Sequence, residues 1–216
     1  MDNIVLGKVR KALGRTAPLS QPPVPPVIDE HVVRLVSSEI GLPELFQKRA
    51  QAMKMLVDLT PADDLLPNMV AFLREKKCKS VMLSDTPLLQ KLRVTEYLNK
   101  NGFTARTWRQ MTADSAYDVD AGVTEADYAV AETGTLAIRH RPEHGRLLSL
   151  VPFVHIAVVE PKIFVADLVD LFERLARHGT GSGVTLISGP SKTADIEMIT
   201  VTGVHGPNVV KTYVLA

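Results

Sequence analysis

"HIAVVEPKIFVADLVDLFERLARHGTGSGVTLISG" (His155–Gly189) holds two apolar runs separated by one long amphipathic segment. "HIAVVEP" (His155–Pro161) is short and nearly unbroken in its apolarity, the pattern of a strand buried on both faces. "KIFVADLVDLFERLARHG" then sets Phe164, Leu168, Leu171, Phe172 and Leu175 on one helical face and stops at Gly179. "GVTLISG" (Gly183–Gly189) returns to strand. Strand, helix and strand in close succession predict an α/β protein with a largely parallel central sheet flanked by helices.

The rest of the chain extends that alternation. The pattern is helical from Leu42 through Leu59, and Thr60-Pro61 restarts a helix with a hydroxyl cap and proline at the first position. "SVMLS" (Ser80–Ser84) and "FTART" (Phe103–Thr107) read as strands around a helix from Asp85 to Asn99, whose inward residues are Leu88, Leu89, Leu92 and Tyr97. Ala113–Val123 reads as loop and strand, Thr124–Ala126 as a turn, and Gly134–Arg139 and Asn208–Ala216 as further strands. Ligands of such sheets lie beyond the carboxyl ends of the strands. Residues 1–30 stand apart: a short helix bearing Ile4, Val5, Val9, Ala12 and Leu13 on one face, then the proline-rich tether "APLSQPPVPPVID". That arm either folds back on its own domain or docks on a second subunit to form a homo-oligomer. Residues 31–216 form one α/β domain.

Composition narrows the function. With 216 residues, 45% of them hydrophobic, the chain supports one sizeable core. A formal charge of +1 and 5% aromatic residues argue against nucleic acid as a partner. The longest uncharged stretch, Leu147–Val159, is too short to span a membrane, which takes roughly 20 apolar residues. "MDNIVLGKVRKALGR" lacks the apolar core of a secretory signal, so the expected location is cytoplasmic. The single cysteine, Cys78, excludes an internal disulfide and an iron–sulfur cluster held wholly by this chain.

Polar residues gather in three turns. "AETGTL" carries Glu132, a candidate general base or nucleophile, beside Thr133 and Gly134. A structural glutamate accepting hydrogen bonds from turn amides reads equally well. "SGPSKTADIE" offers Gly189, Ser191, Lys192, Thr193, Asp195 and Glu197. Its freed amides, hydroxyls and ammonium suit a carboxylate or phosphate, although Ser191 or Thr193 could simply cap a helix. "GVHGP" brackets His205 with Gly206. His155 reads as an interior, hydrogen-bonded histidine. His140 and His144 are four apart, as metal ligands on a helix would be, but Pro142 breaks that helix and no metal is expected. Arg139, Arg141 and Arg146 form a basic edge suited to an acidic ligand or partner.

"VTEADYAVAETGTLAI", "GRLLSLVPFVHIAVVEP" and "TLISGPSKTADIEMITVTGVHGP", in that order, resemble the lactate utilization protein C family, or LUD domain, over roughly Asp120 to Ala216. The resemblance implies a fold related to sugar-phosphate isomerases, CoA transferases and 5-formyltetrahydrofolate cyclo-ligases. It implies a part in oxidising L-lactate to pyruvate beside two partner proteins that carry the iron–sulfur clusters, with no cofactor held by this chain. A small anionic metabolite or the partner proteins would bind at the three turns. The alternative is an autonomous CoA-transferase-like or cyclo-ligase-like enzyme with Glu132 as nucleophile or base and Lys192 as anion clamp.

Overall fold

In the computed structural model, six parallel strands form the central sheet in the order β1 (Leu56–Thr60), β12 (Val209–Leu215), β7 (Val154–Val159), β4 (Ala121–Glu125), β2 (Ser80–Leu83) and β3 (Thr104–Thr107). The structure describes residues 4–15, 24, 27, 41–194, 200–202 and 205–216. Met1–Val33 and Arg34–Ala216 are separate units. The first contains α1 (Ile4–Ala12), a helix with no buried residue. The tether lies almost wholly outside the described residues.

The second unit opens with α2 (Leu42–Ala52), which has proline in its first turn and buries Phe46 and Ala50. Lys54, at φ 68°, ends it. Leu56–Thr60 then forms strand β1 instead of continuing the helix to Leu59. The apolar spacing here fits either period; pairing of β1 with β12 (Val209–Leu215) decides for strand. The helix expected from Asp85 to Asn99 is likewise two pieces, α4 (Pro87–Lys91) and α5 (Val94–Lys100), divided at Arg93 with φ 54°. With α3 (Leu65–Glu75) they cover one face of the sheet. That core joins Leu73, Leu89 and Leu98 to Val81, Leu83, Val123, Ile156 and Tyr213 of the strands β2 (Ser80–Leu83), β4 (Ala121–Glu125), β7 (Val154–Val159) and β12.

The other face meets a second sheet. β5 (Tyr128–Val130), β6 (Thr135–Arg139), β8 (Phe164–Val165) and β9 (Val184–Ile187) pair in the order β8-β5-β6-β9, antiparallel except for β5 with β8. So the strand predicted over Gly183–Gly189 leaves the central sheet, and Thr124 and Glu125 end a strand instead of forming a turn. Leu136, Ile138 and Ile187 face the central sheet, against Ala157, Val159 and Val214. Tyr128, Val130 and Ala137 face α8 (Leu168–His178), which Asp167 caps through the Asp170 amide at 2.9 Å. Phe164 belongs to β8, not to the helix, and Phe172 is 56% exposed, because only Leu168, Leu171 and Leu175 point at the small sheet. The pair β10 (Lys192–Ala194) and β11 (Thr200–Thr202) forms a separate antiparallel ribbon. No helix among the described residues is long and apolar enough to cross a membrane.

From β2 the chain moves outward to β3 (Thr104–Thr107), whereas from β4 it moves the other way to β7. The strand order therefore reverses between β2 and β4, where a crevice opens at the carboxyl ends. After α6 (Ala113–Ala116), α7 (Leu147–Leu150) lies over β4. It fits only because Gly122 of β4 has no side chain: a Cβ there would collide with the Leu148 carbonyl oxygen. Gly122→Ala should cost more than about 3 kcal/mol in urea unfolding, since backbone rather than a flexible side chain must move. An unchanged midpoint would show that α7 does not rest on β4.

Candidate functional site

The three polar turns are neighbours. Thr133 Oγ1 donates to Thr135 Oγ1 at 2.7 Å, and Thr135 Oγ1 meets Ser188 Oγ at 2.7 Å, joining the first turn to the approach of the second. The Ser191 amide donates to the Pro207 carbonyl at 2.8 Å, and the Cβ position of Gly206 lies 3.2 Å from Ser191 Cβ, joining the second to the third. Gly134 and Gly189, with φ 63° and 107°, press against the backbone of Ala50 and Met53 at the end of α2. Lys192 is exposed and donates to the Met53 carbonyl at 3.2 Å. Among the described residues no ion pair links Lys192 to Glu132, whose amide donates to the Ala166 carbonyl at 3.0 Å. Thr193 lies in β10, and Asp195 and Glu197 fall outside the described residues. His205 is exposed beside a cavity of about 740 Å³ that Asp118, Leu150 and Phe153 also line. Because His205 precedes β12 and Phe153 precedes β7, this third turn sits at the amino ends of the parallel strands, opposite the crevice.

The carboxyl side carries a different cluster. After β6 the chain turns tightly through Arg141–His144, with the His144 amide donating to the Arg141 carbonyl at 2.8 Å. Pro142 makes this a turn, and the turn brings His140 and His144 to one cavity as a helix would have done. The Asp85 amide, just past β2, donates to the Glu143 carbonyl at 2.8 Å and holds the turn over the crevice. Arg109 pairs with Asp85 at 3.3 Å and Glu143 at 3.2 Å, adding a second tie.

Three imidazoles are buried here. His144 is 1% exposed and neither ring nitrogen has a hydrogen-bond partner. His155, on β7, is fully buried; Nε2 meets Thr124 Oγ1 at 2.9 Å and Nδ1 has no partner. His140 Nε2 meets Thr185 Oγ1 at 2.7 Å, again leaving Nδ1 unpartnered. Burial lowers all three pKa values, to about 4 for His144 and about 3 for His155, and holds the rings neutral. Arg146 adds to the effect on His140, and His144 to that on His155. The interior histidine expected at 155 is thus only half satisfied. Buried polar atoms are almost always paired, so these unpartnered ring nitrogens are exceptions.

The basic edge divides in two. Arg139 Nε pairs with Asp127 Oδ1 at 3.0 Å, and Arg141 shares the same carboxylate. Both guanidinia of this expected edge are therefore engaged by Asp127. Arg146 is exposed, and its guanidinium makes no hydrogen bond or ion pair among the described residues. It lines a cavity of about 550 Å³ with His140, His144, Gly145 and Trp108, whose buried indole Nε1 also lacks a partner. The sequence paired His140 with His144 and set Arg146 with Arg139 and Arg141, but it did not join the histidines to Arg146 or bring in Gly145 and Trp108; the signal was the turn around Pro142 followed by a strand bearing His155. Among the described residues no group of three or more histidine, cysteine or acidic side chains could hold a metal ion.

The α/β domain thus sets neutral buried imidazoles beside one guanidinium without an ion pair, close to its strand-order reversal. The LUD domain matches residues 43–215, and the chain belongs to that family. It is 34% identical to lactate utilization protein C of an Exiguobacterium species over 61% of this chain and 66% of that protein. It is 32% identical to lactate utilization protein C 1 of Bacillus mycoides over 70% of this chain and 69% of the relative, so these alignments span about two thirds of both proteins' length. The uncharacterized protein YkgG of Escherichia coli is 28% identical over 96% of this chain and 95% of its own. The crystal structure of a DUF162 family protein from Deinococcus radiodurans shares the fold, with a TM-score of 0.61 at 22% identity over 81% of this chain and 96% of that one.

The neutral imidazoles set an acid limit. Unfolded, each titrates near 6.5; folded, His144 stays neutral down to about 4. The unfolded state therefore binds more protons between these values, and stability falls as pH drops from 6.5 toward 4. His144 alone should account for on the order of 3 kcal/mol at the low end. Urea unfolding of His144→Gln across this window should give a shallower decline than wild type; parallel curves would contradict the burial argument.

Proposed function

We propose that this protein is a cytoplasmic component of lactate utilization that binds a small carboxylate, L-lactate or pyruvate, in the Arg146 cavity. The observation that carries the reading is the unpaired Arg146 guanidinium beside His144, which has two free ring nitrogens. A carboxylate on Arg146 gains a charge-assisted, potentially bidentate bond. A hydroxyl or keto oxygen on the same molecule lies within the reach of imidazole and indole groups that lack partners. The names of the Exiguobacterium and Bacillus relatives support lactate as the physiological setting.

Electrons leave through two iron–sulfur partner proteins in this reading. The one cysteine here is buried, and burial, reinforced by Asp120, pushes its thiol up to about 11, which suits neither a cluster ligand nor a nucleophile. Neutral His144 is the group able to accept a hydrogen bond from a bound hydroxyl. A second reading keeps the anion at the turns, favoured by the exposed Lys192 ammonium, with Glu132 as the reacting carboxylate.

Trp108 is the only tryptophan and lines the Arg146 cavity, so its fluorescence reports occupancy. Titration with L-lactate and pyruvate should give a saturable change and raise the thermal midpoint. Arg146→Ala should weaken binding roughly 10- to 100-fold, the range for losing a hydrogen bond to a charged group. Lys192→Ala and Glu132→Gln should leave it unchanged. The reverse ranking would move the anion to the turns, and absence of binding to wild type would end the proposal. With both iron–sulfur partners present, Arg146→Ala should also slow lactate-dependent electron transfer.

A further inference from the structure

The Arg146 cavity does not end at Trp108. A second cavity of about 500 Å³ adjoins it, and the two share Trp108, Gly145 and Arg146 as walls. Apart from Thr112, the remaining walls are hydrocarbon and thioether: Met82, Met111, Ala116, Leu147 and Leu148 among them. Met82 belongs to β2 and is 2% exposed; Ala116 is equally buried, so the back of this chamber is core and not surface. Gly145 lies flat on the indole, with its Cβ position 2.7 Å from Trp108 Cε3, which lets the ring stand as a partition.

A three-carbon acid fills only a small part of two joined cavities of this size, each within the range that holds drug-sized ligands. Methionine side chains adapt their shape to the apolar body they meet. The single unpaired charge sits at the junction, so a ligand anchored there has its polar atoms toward the histidines and its hydrocarbon toward the methionines.

We propose that the apolar chamber behind Trp108 is the second half of the ligand site and receives the hydrocarbon chain of 2-hydroxy acids longer than lactate, whose carboxylate pairs with Arg146. This rests on the reading of Arg146 as the carboxylate anchor and extends it to the class of side chain accepted. No bond is made or broken in this step; it is a statement of specificity.

The test is a homologous series on the intact chain: lactate, 2-hydroxybutyrate, 2-hydroxyhexanoate and 2-hydroxyoctanoate, followed by Trp108 fluorescence and calorimetry. Each methylene that enters the chamber should lower Kd by about fourfold, until the chamber is full. Arg146→Ala should weaken every member by a similar factor. Met111→Phe and Ala116→Leu, which narrow the chamber from two sides, should flatten the series. The wild-type series alone decides the matter if either variant fails to fold. Lactate binding that needs Arg146, together with a Kd that stays constant or rises with chain length, overturns this inference and leaves the proposed function standing. A chain-length gain that Arg146→Ala does not weaken also overturns it, since the chain would then be binding without its anchor. Absence of binding by every member overturns both.

Discussion

The descent of α7 onto the bare backbone of Gly122 is the contact on which the rest of the site depends. Without a Cβ on β4 at that point, the Leu148 carbonyl reaches the sheet, and the segment before it, His144 to Arg146, is drawn over the strand-order reversal. His144 is then sealed in, Gly145 lies on the Trp108 ring, and Arg146 stands at the junction of two cavities. One missing methyl group thus sets where a cation and three imidazoles meet.

Electrostatics in this region follow from who is paired first. Asp127 is held in the fold by the Arg139 amide at 2.8 Å and takes up the Arg139 and Arg141 guanidinia. Glu143 and Asp85 take up Arg109. Arg146 is left over, and its charge faces histidines that burial keeps neutral. A buried neutral imidazole without partners carries a desolvation cost, a kind of local disadvantage that recurs at sites where a ligand supplies the missing bonds.

The turn motifs named from the sequence do assemble, but much of what they do is visible in the backbone. Gly134 and Gly189 allow close approach to α2, Ser191 ties to Pro207, and Thr133, Thr135 and Ser188 form one hydroxyl chain. These contacts fasten the small sheet and the ribbon to the amino-terminal side of the parallel strands. A specific sequence pattern need not mark a pocket; it can mark a joint where three segments must fit without side-chain bulk.

The sequence by itself determined the α/β class, the buried strand at His155–Pro161, the amphipathic helix ending at Gly179 and the family, because apolar periodicity and glycine placement are local properties that survive in one dimension. It misread Leu56–Thr60 as helix and gave no hint that β9 would leave the central sheet, since the same apolar spacing serves either period until a neighbouring strand is present. It also held every residue of the Arg146 site in plain view and could not group them. Which arginine stays unpaired depends on where Asp127 lies, and whether His144 is neutral depends on what covers it. Those are questions of charge and burial between segments far apart in the chain, and only the tertiary structure decided them.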